Sequence, residues 1–131
     1  MEEQANVERL IGRDIAEFQA TWYGRGPSRV LTHVLPTMVI VVLEETFSPA
    51  ERALIERGEP GGIQQTRRRF QEVMEEDFKA IVEQATGQEV RAFLSNTHLE
   101  TNVSVEIFLL SGALENMEAF EAEVEKPGAE N

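Results

Sequence analysis

The segment RVLTHVLPTMVIVVLEE, residues 29–45, decides the fold class. It consists of two runs rich in β-branched residues, 29–35 and 38–45, which are separated by Pro36-Thr37. Two such runs on either side of a two-residue turn predict a β-hairpin. The second run is apolar at every position from 38 to 43. We therefore expect it to form a central strand that is covered on both faces.

A second strand pair is predicted further along the chain. EVRAFLS, 89–95, leads through the turn NTHLE to TNVSVEIFLLS, 101–111, where apolar residues recur at every second position. We expect strands 38–45 and 102–110 in the middle of the sheet and strand 29–35 at an edge. Because an edge strand invites pairing with another chain, we expect a homodimer joined through a sheet or helix surface.

A first helix is predicted over residues 6–23, where apolar side chains recur three and four positions apart. Asn6 is the expected N-cap, and Gly24 is expected to end the helix in a left-handed conformation.

Two more helices are predicted between the hairpins. SPAE, 48–51, is a capping-box sequence with proline at the first helical position, and the short helix that it starts should end at Gly58. The longest helix should run from about 62 to 85. Its predicted buried residues are Ile63, Phe70, Val73, Met74, Phe78, Ile81, Val82 and Ala85.

Together these elements predict an α+β fold with the order α-β-β-α-α-β-β and an optional C-terminal helix. We expect a four-stranded, mostly antiparallel sheet made of two β-hairpins and packed with helices. Residues 1–111 should form a single domain. Residues 112–131 carry six acids and one lysine, and we expect an acidic extension with a short helix followed by disorder.

Composition excludes several classes of protein. The net charge is −12, which disfavours binding to nucleic acid or anionic lipid. The longest apolar run has six residues, 38–43, whereas a transmembrane helix needs about 20. The chain has no cysteine and two histidines, so we expect a cytoplasmic protein without a metal or other cofactor.

The loop WYGRGPSRV, 22–30, contains two glycines but is a poor phosphate site. Glycine loops bind phosphate at the N-terminus of a following helix, whereas here a helix precedes the loop and turns its carbonyl end towards it. The loop is interpreted as a helix stop before an edge strand. Arg25 and Arg29 keep a second interpretation open, in which they bind an anion or the carboxylates of a partner.

His98 lies in the predicted turn of the second hairpin. Ser95 and His98 can approach each other there, but we see no third group to orient the histidine for nucleophilic catalysis. Ser95, Asn96 and Thr97 are expected to shape the turn through bonds to the backbone. Because loops beside strands often carry function, His98 joins Arg25 and Arg29 as a candidate ligand- or partner-binding residue.

The run Arg67–Arg69 looks like a nucleic-acid-binding patch in the linear sequence, but not on the surface of a helix. Three consecutive residues spread over about 200° of a helix, so they cannot form one flat basic face. The sequence places three acids one to two turns onward, and we predict intrahelical or inter-subunit ion pairs. These acids are Glu72, Glu75 and Glu76.

Glu106 is a polar residue on the strand face that Phe108 and Leu110 share, and that face is expected to be covered. A buried glutamate needs a partner, and Arg91 on the neighbouring strand is the predicted one. Whether such a pair is structural or functional is open at this point.

Four segments carry a family resemblance because they recur in order and spacing. They are YGRGPSRV, VVLEETFSPAERALIERGE, RRRFQEVMEEDFKAIVEQATGQEVRAFLSNTH and VSVEIFLL. Over residues 5–111 the chain resembles the small bacterial MpsC family of the Na⁺-translocating membrane potential-generating system. The resemblance implies an association with sodium-linked membrane energetics, as a soluble partner of membrane subunits, and supplies no catalytic residues. Where members commonly have an acid in LSD, this chain has Asn96.

We therefore predict a non-enzymatic, soluble accessory protein that binds a partner protein, either a membrane complex or a regulatory protein. Its expected location is the cytoplasm, with peripheral attachment to a membrane through that partner. The alternative is a regulatory domain that senses a small anion through Arg25, Arg29 and His98.

Overall fold

The computed structural model describes residues 2–115. Within them lie the helices α1 (Glu2–Tyr23), α2 (Pro49–Glu56) and α3 (Ile63–Thr86) and the strands β1 (Arg29–Leu35), β2 (Met38–Glu44), β3 (Val90–His98) and β4 (Val103–Leu110). The α+β class and the order α-β-β-α-α-β-β predicted from the sequence are confirmed.

The four strands form one antiparallel sheet in the order β1-β2-β4-β3. The two apolar strands lie in the middle and β1 lies at an edge, as predicted. Each half of the chain supplies one helix followed by one hairpin, α1-β1-β2 and α3-β3-β4. The pairing of β2 with β4 is therefore the seam between two similar units.

The helices α1 and α3 pack on one face of the sheet, where the hydrophobic core lies. On β2 the buried residues are Val39, Val41 and Leu43, and on β4 they are the even-numbered residues from 104 to 110. α1 contributes Ile11 and Ile15, and α3 contributes buried apolar residues at helical spacing. These last are Met74, Phe78 and Val82.

The opposite face of the sheet, which we call the open face, has no helix from residues 2–115 packed on it. Its apolar residues are separate from the core cluster. By register the open face consists of Arg29, Leu31, His33, Leu35, Met38, Ile40, Val42, Glu44, Ala92, Leu94, Asn96, His98, Val103, Val105, Ile107 and Leu109. Within residues 2–115, β2 is therefore covered by helices on one face only, whereas the sequence predicted a cover on both faces.

Local rules explain where most elements begin and end. Ser48 and Glu51 form the predicted capping box at the start of α2. Gly24, Gly58 and Gly87 follow the helices with positive φ angles, which cost glycine little. One boundary was wrong, because α1 begins at Glu2 and Asn6 lies inside it.

Close packing attaches α1 to β1. A β-carbon on Gly12 would lie 2.7 Å from Thr32 Oγ1, so the helix approaches the strand closely only because this residue is glycine. The backbone N–H of Val34 donates to Glu8 Oε2 at 2.9 Å, and the carbonyl of Val34 accepts from Gln4 Nε2 at 2.7 Å. Side chains of α1 therefore form hydrogen bonds with the backbone of this edge strand.

Two further sequence predictions need correction. β3 continues to His98, so Ser95, Asn96 and Thr97 lie in the strand, and the turn starts only at residue 99. Val73 is 63% exposed rather than buried, because Phe70 and Met74 on either side of it turn inward.

The C-terminal extension is described only as far as residue 115. Leu114 packs against the core, and its N–H donates to the carbonyl of Pro36 at 2.7 Å. The helix and the disordered end predicted for this extension fall on residues 116–131, outside the described residues.

Candidate functional site

Arg67 of α3 is the centre of a buried polar cluster. Its side chain is almost fully buried and pairs with Glu51 of α2 through two hydrogen bonds, from Nε to Oε2 at 2.7 Å and from Nη2 to Oε1 at 2.9 Å. Nη2 also donates to the carbonyl of Thr46 at 2.9 Å, and Nη1 donates to Thr46 Oγ1 at 3.0 Å. This two-pronged geometry is the one that guanidinium forms best with a carboxylate.

Aromatic rings and hydroxyls complete the surroundings of Arg67. The guanidinium carbon lies 4.6 Å from the ring centre of Tyr23 and 5.3 Å from that of Phe47. Both distances are within the range of cation–π attraction. Towards the sheet, Thr97 Oγ1 and Ser104 Oγ bond to each other at 2.9 Å beside the guanidinium. We call Thr46, Glu51, Arg67, Thr97 and Ser104 the Arg67 cluster.

The protonation of two side chains in this region reflects burial and charge. Burial alone would raise the pKa of Glu51, but hydrogen bonds from Arg67 and Ser48 and the Arg67 charge outweigh it and lower that pKa below its usual value. Burial raises the pKa of the Tyr23 phenol to about 12, and the Arg67 charge offsets part of that rise. Near neutral pH Glu51 is therefore ionised and Tyr23 is neutral.

A groove opens to solvent next to the Arg67 cluster. Its volume is about 360 Å³, and it lies between the C-terminal end of α1, α2 and the start of α3. Large apolar side chains dominate its lining, namely Trp22, Tyr23, Leu54, Ile63 and Phe70. Trp22 is 44% exposed and Leu54 is 41% exposed. Exposed large apolar side chains in a concave site are typical of binding surfaces.

Two other depressions have similar volumes, about 410 and 430 Å³. One lies between α1 and β1 and includes Arg9 and Arg13, and the other lies beside β3 and includes Arg68 and Gln71. Neither has an aromatic residue in its lining. We therefore take the groove at Trp22 and Leu54 as the candidate functional site.

Glu106 is buried, but not with the partner that the sequence suggested. Arg91 Nε donates to the carbonyl of Leu110, and Glu106 lies opposite Ser95 in the β3–β4 register. Burial raises the pKa of Glu106 to about 8, and the Ser95 hydroxyl and the Arg67 charge offset only part of that rise. Although the two residues face each other in the register, Ser95 Oγ and Glu106 Oε2 are both buried without a hydrogen bond of normal geometry.

The three candidate residues from the sequence lie at one end of the sheet. Arg25 is exposed in the loop after α1, and Arg29 makes a mostly exposed ion pair with Glu44 at 3.6 Å. His98 is exposed at the opposite edge, where Nδ1 bonds to Thr101 Oγ1 at 2.8 Å rather than to Ser95. The register runs from Arg29 through two strands to His98, about 14 Å away at normal strand spacing. Arg29 and His98 therefore lie on opposite edge strands, three strand spacings apart.

The arginine run shows what sequence reasoning missed. Arg67 pairs with Glu51, sixteen residues earlier, instead of with an acid on its own helix. Two of the acids predicted as partners of the arginines, Glu75 and Glu76, form ion pairs with Lys79 instead. One signal was present in the sequence, because Arg67 stands four residues after buried Ile63 and therefore on the buried stripe of α3.

Comparison with known proteins now adds a family. The family model described as "Na+-translocating membrane potential-generating system (MpsC)" matches residues 3–112. The chain belongs to the MpsC family. It is also 31% identical over 115 residues to the uncharacterized protein YbcI of Bacillus subtilis strain 168, which covers 86% of this chain and 91% of YbcI. No solved structure matches the chain.

The MpsC match includes both the groove and the open face. Residues 3–112 contain all of the groove lining and every strand of the sheet. Among residues 2–115 there is no helix with the length and apolarity needed to cross a membrane. In the same part of the chain, no three histidine or acidic side chains gather closely enough to hold a metal ion.

Proposed function

We propose that this MpsC-family chain is a non-enzymatic accessory protein that binds a partner protein through the groove beside the Arg67 cluster. The family description links it to a sodium-dependent membrane potential system, and we propose a membrane complex of that system as the partner. In this proposal the chain is homodimeric, works in the cytoplasm and reaches the membrane through its partner.

The observation that carries the proposal is the exposure of Trp22 and Leu54 across one groove. Tryptophan is among the residues that contribute most to protein interfaces, because it buries a large area at low entropic cost. The groove has a firm base, since Glu51 in its lining is held by Arg67 and by the Ser48 backbone. A preformed site of this kind loses little entropy when it binds.

The cation in the loop that follows Trp22 favours an acidic partner segment. Arg25 follows Trp22 by three residues and is exposed, in a chain whose net charge is −12. A local cation in an acidic surface attracts carboxylates and steers their approach. The partner segment that fits best therefore combines an apolar side chain for the groove with a nearby acid for Arg25.

The test is a tagged pull-down from the native cell, with cytosolic and detergent-extracted membrane fractions kept apart. We expect the wild type to retain a membrane protein at stoichiometric level, and Trp22→Ala with Leu54→Ala to lose it. The substitution Arg25→Glu should weaken retention with little change in melting temperature, since Arg25 is exposed in the loop after Trp22.

Leu10→Ala provides the matched control, because Leu10 is also an exposed apolar residue of α1 but lies outside the groove. It should retain the partner as the wild type does. Equal loss of the partner in the control and the groove variants, or retention by folded groove variants, would exclude the groove as the partner site.

A small-molecule sensor is the second candidate function. The groove volume of about 360 Å³ lies within the usual range for ligand pockets, roughly 300–1,000 Å³. An anionic aromatic metabolite suits it, with the ring against Trp22 and Phe70 and the charge near Arg25. Such a ligand should raise the melting temperature with its concentration in a thermal-shift screen, and Trp22→Ala should abolish that rise.

A further inference from the structure

We propose that the open face is the contact surface of the homodimer, and that the sheets of two copies pack face to face on it. The inference deepens the homodimer of the proposed function by naming its surface. It is independent of the groove, because no residue of the groove lining belongs to the open face.

The centre of the open face is apolar across three neighbouring strands. Ile40 of β2 lies opposite Ile107 of β4, and Leu94 of β3 lies opposite Ile107 on its other side. Val42 and Val105 form the next row. Leu94 is 54% exposed in the single chain. A contiguous apolar surface of this kind is unusual on a monomer and common at contacts between subunits.

The extent of the open face matches what a specific dimer needs. Four strands about 4.8 Å apart and seven residues that rise about 3.4 Å each span roughly 19 by 24 Å, or about 450 Å² in projection. Projecting side chains make the accessible area larger than the projected one. A specific interface buries about 600–800 Å² on each partner, so most of this face would be used.

Charge also selects this face for contact between two copies. Each chain carries a net charge of −12, so two copies repel wherever their acidic surfaces meet. On the open face the one acid, Glu44, is paired with the one arginine, Arg29, at 3.6 Å. The strands of the face therefore carry no net charge apart from their histidines, and the exposed Arg68 of α3 beside Leu94 and Ile107 adds a cation that does not repel an acidic copy.

The edges of the sheet are less suited to a second copy than its face. On β1 the N–H and C=O of Val34 are already bonded to Glu8 and Gln4 of α1. On β3 the carbonyl of Thr97 accepts from Gln64 of α3 at 2.9 Å. A strand added at either edge would have to break these bonds, and this protection is a known way to prevent edge pairing.

The C-terminal segment is a poorer occupant than a second copy. Leu114 packs against the core beside Val7 and Ala85, so the chain leaves the described region on the helix side of the sheet. Residues 116–131 carry five acids and one lysine. If this segment is helical, its large apolar residues Met117, Phe120 and Val124 span about 10 Å, less than half the length of the open face.

The experiment measures the mass of the full chain in solution by light scattering and sedimentation at micromolar concentration. The wild type should have twice the chain mass of 14.8 kDa. Ile107→Glu and Leu94→Glu should each raise the dimer dissociation constant by about tenfold or more, because a lone carboxylate must then be desolvated at the contact. Val73→Glu is the matched control, since Val73 is an exposed apolar residue on the helix side, and it should remain dimeric.

Each result bears on the proposal in one direction. A wild type that is monomeric at these concentrations overturns it while leaving the pull-down test of the groove intact. A wild-type dimer that persists in Leu94→Glu also overturns the proposal. Leu94 is exposed in the single chain, so we expect this variant to fold even if Ile107→Glu does not. Dissociation by Leu94→Glu, with an intact dimer in Val73→Glu, supports the open face as the contact.

Discussion

Arg67 shows how a single residue can hold distant parts of the chain together. Its guanidinium joins α3 to Glu51 of α2 and to Thr46 after β2, and it stacks on Tyr23 of α1. A buried charge is expensive to desolvate, so its bonds mainly compensate that cost and fix the relative position of these segments. The groove depends on this arrangement, because Tyr23 and Glu51 both line it.

Arg67→Met should lower the free energy of unfolding by about 2 kcal/mol or more, because the partly buried Glu51 carboxylate and the Thr46 carbonyl lose their hydrogen bonds from the guanidinium. Arg68→Met, its exposed neighbour, should change that free energy by about 0.5 kcal/mol or less. Urea unfolding of both variants measures the difference. Similar values for the two would show that the Arg67 cluster contributes no specific stability.

The raised pKa of Glu106 predicts a stability that falls as the pH rises from about 4.5 to about 8. The folded protein holds the Glu106 proton up to about pH 8, whereas the unfolded chain releases it near 4.5. The folded state therefore binds more protons in this window, and unfolding becomes easier as pH rises through it. Glu106→Gln should reduce this fall by a few kcal/mol, roughly, between pH 5 and 9.

Denaturant titrations across that pH range provide the measurement for Glu106. Glu51 acts in the opposite direction and in a different window, because its pKa is lowered. Its contribution is present above about pH 4.5 and is lost as the pH falls below that value. If Glu106→Gln leaves the slope of the free energy of unfolding against pH unchanged, Glu106 is already ionised in the folded protein at neutral pH.

At the scale of elements, the α1–β1 contact depends on the absence of a side chain at one position. Gly12→Ala should destabilise the protein by about 1 kcal/mol, since overpacking costs about 1–3 kcal/mol and the gain in helix propensity returns about 1 kcal/mol. Thermal and urea unfolding of this variant give the value.

The control for Gly12 is the same substitution in a Thr32→Ala background, which removes the Oγ1 atom that the new methyl group would meet. There Gly12→Ala should cost less than in the wild type, because only the 3.2 Å contact with Val30 Cγ1 stays tight and the gain in helix propensity offsets it. An equal loss in both backgrounds would place the strain elsewhere.

Elements governed by local rules were predictable from the sequence. The capping box at Ser48, the left-handed Gly24 and the hairpin at Pro36-Thr37 depend on a few adjacent residues, and all three are confirmed. The end of β3 was missed because its polar residues resemble a turn. Contacts from distant segments hold Thr97 in the strand, namely bonds from Gln64 and with Ser104.

The candidate site was less predictable than the fold, for a physical reason. Glu51 and Arg67 are sixteen residues apart and belong to different helices, so only the tertiary structure brings them together. The sequence pointed instead to Arg25, Arg29 and His98. The structure places Arg25 in the loop before β1, Arg29 on the edge strand β1 and His98 on the opposite edge strand β3. Their part in binding stays a prediction.

At the scale of the whole molecule, two surfaces differ in character and lie apart. The groove is concave and rich in aromatic rings, and the open face is broad and largely aliphatic. A dimer formed through the open face would leave both grooves exposed on its outer sides. One dimer could then hold two partner segments, and tethering both to one complex would strengthen binding beyond the affinity of a single groove.

The seam between β2 and β4 has a consequence for the integrity of the chain. The two α-β-β units meet there and are connected only through α2 and the exposed segment of residues 57–62. A protease that cuts this segment would leave two fragments, each with its own helix and hairpin. We expect them to stay associated and to reassemble when they are expressed separately, because the seam and the shared core need no continuous backbone between them.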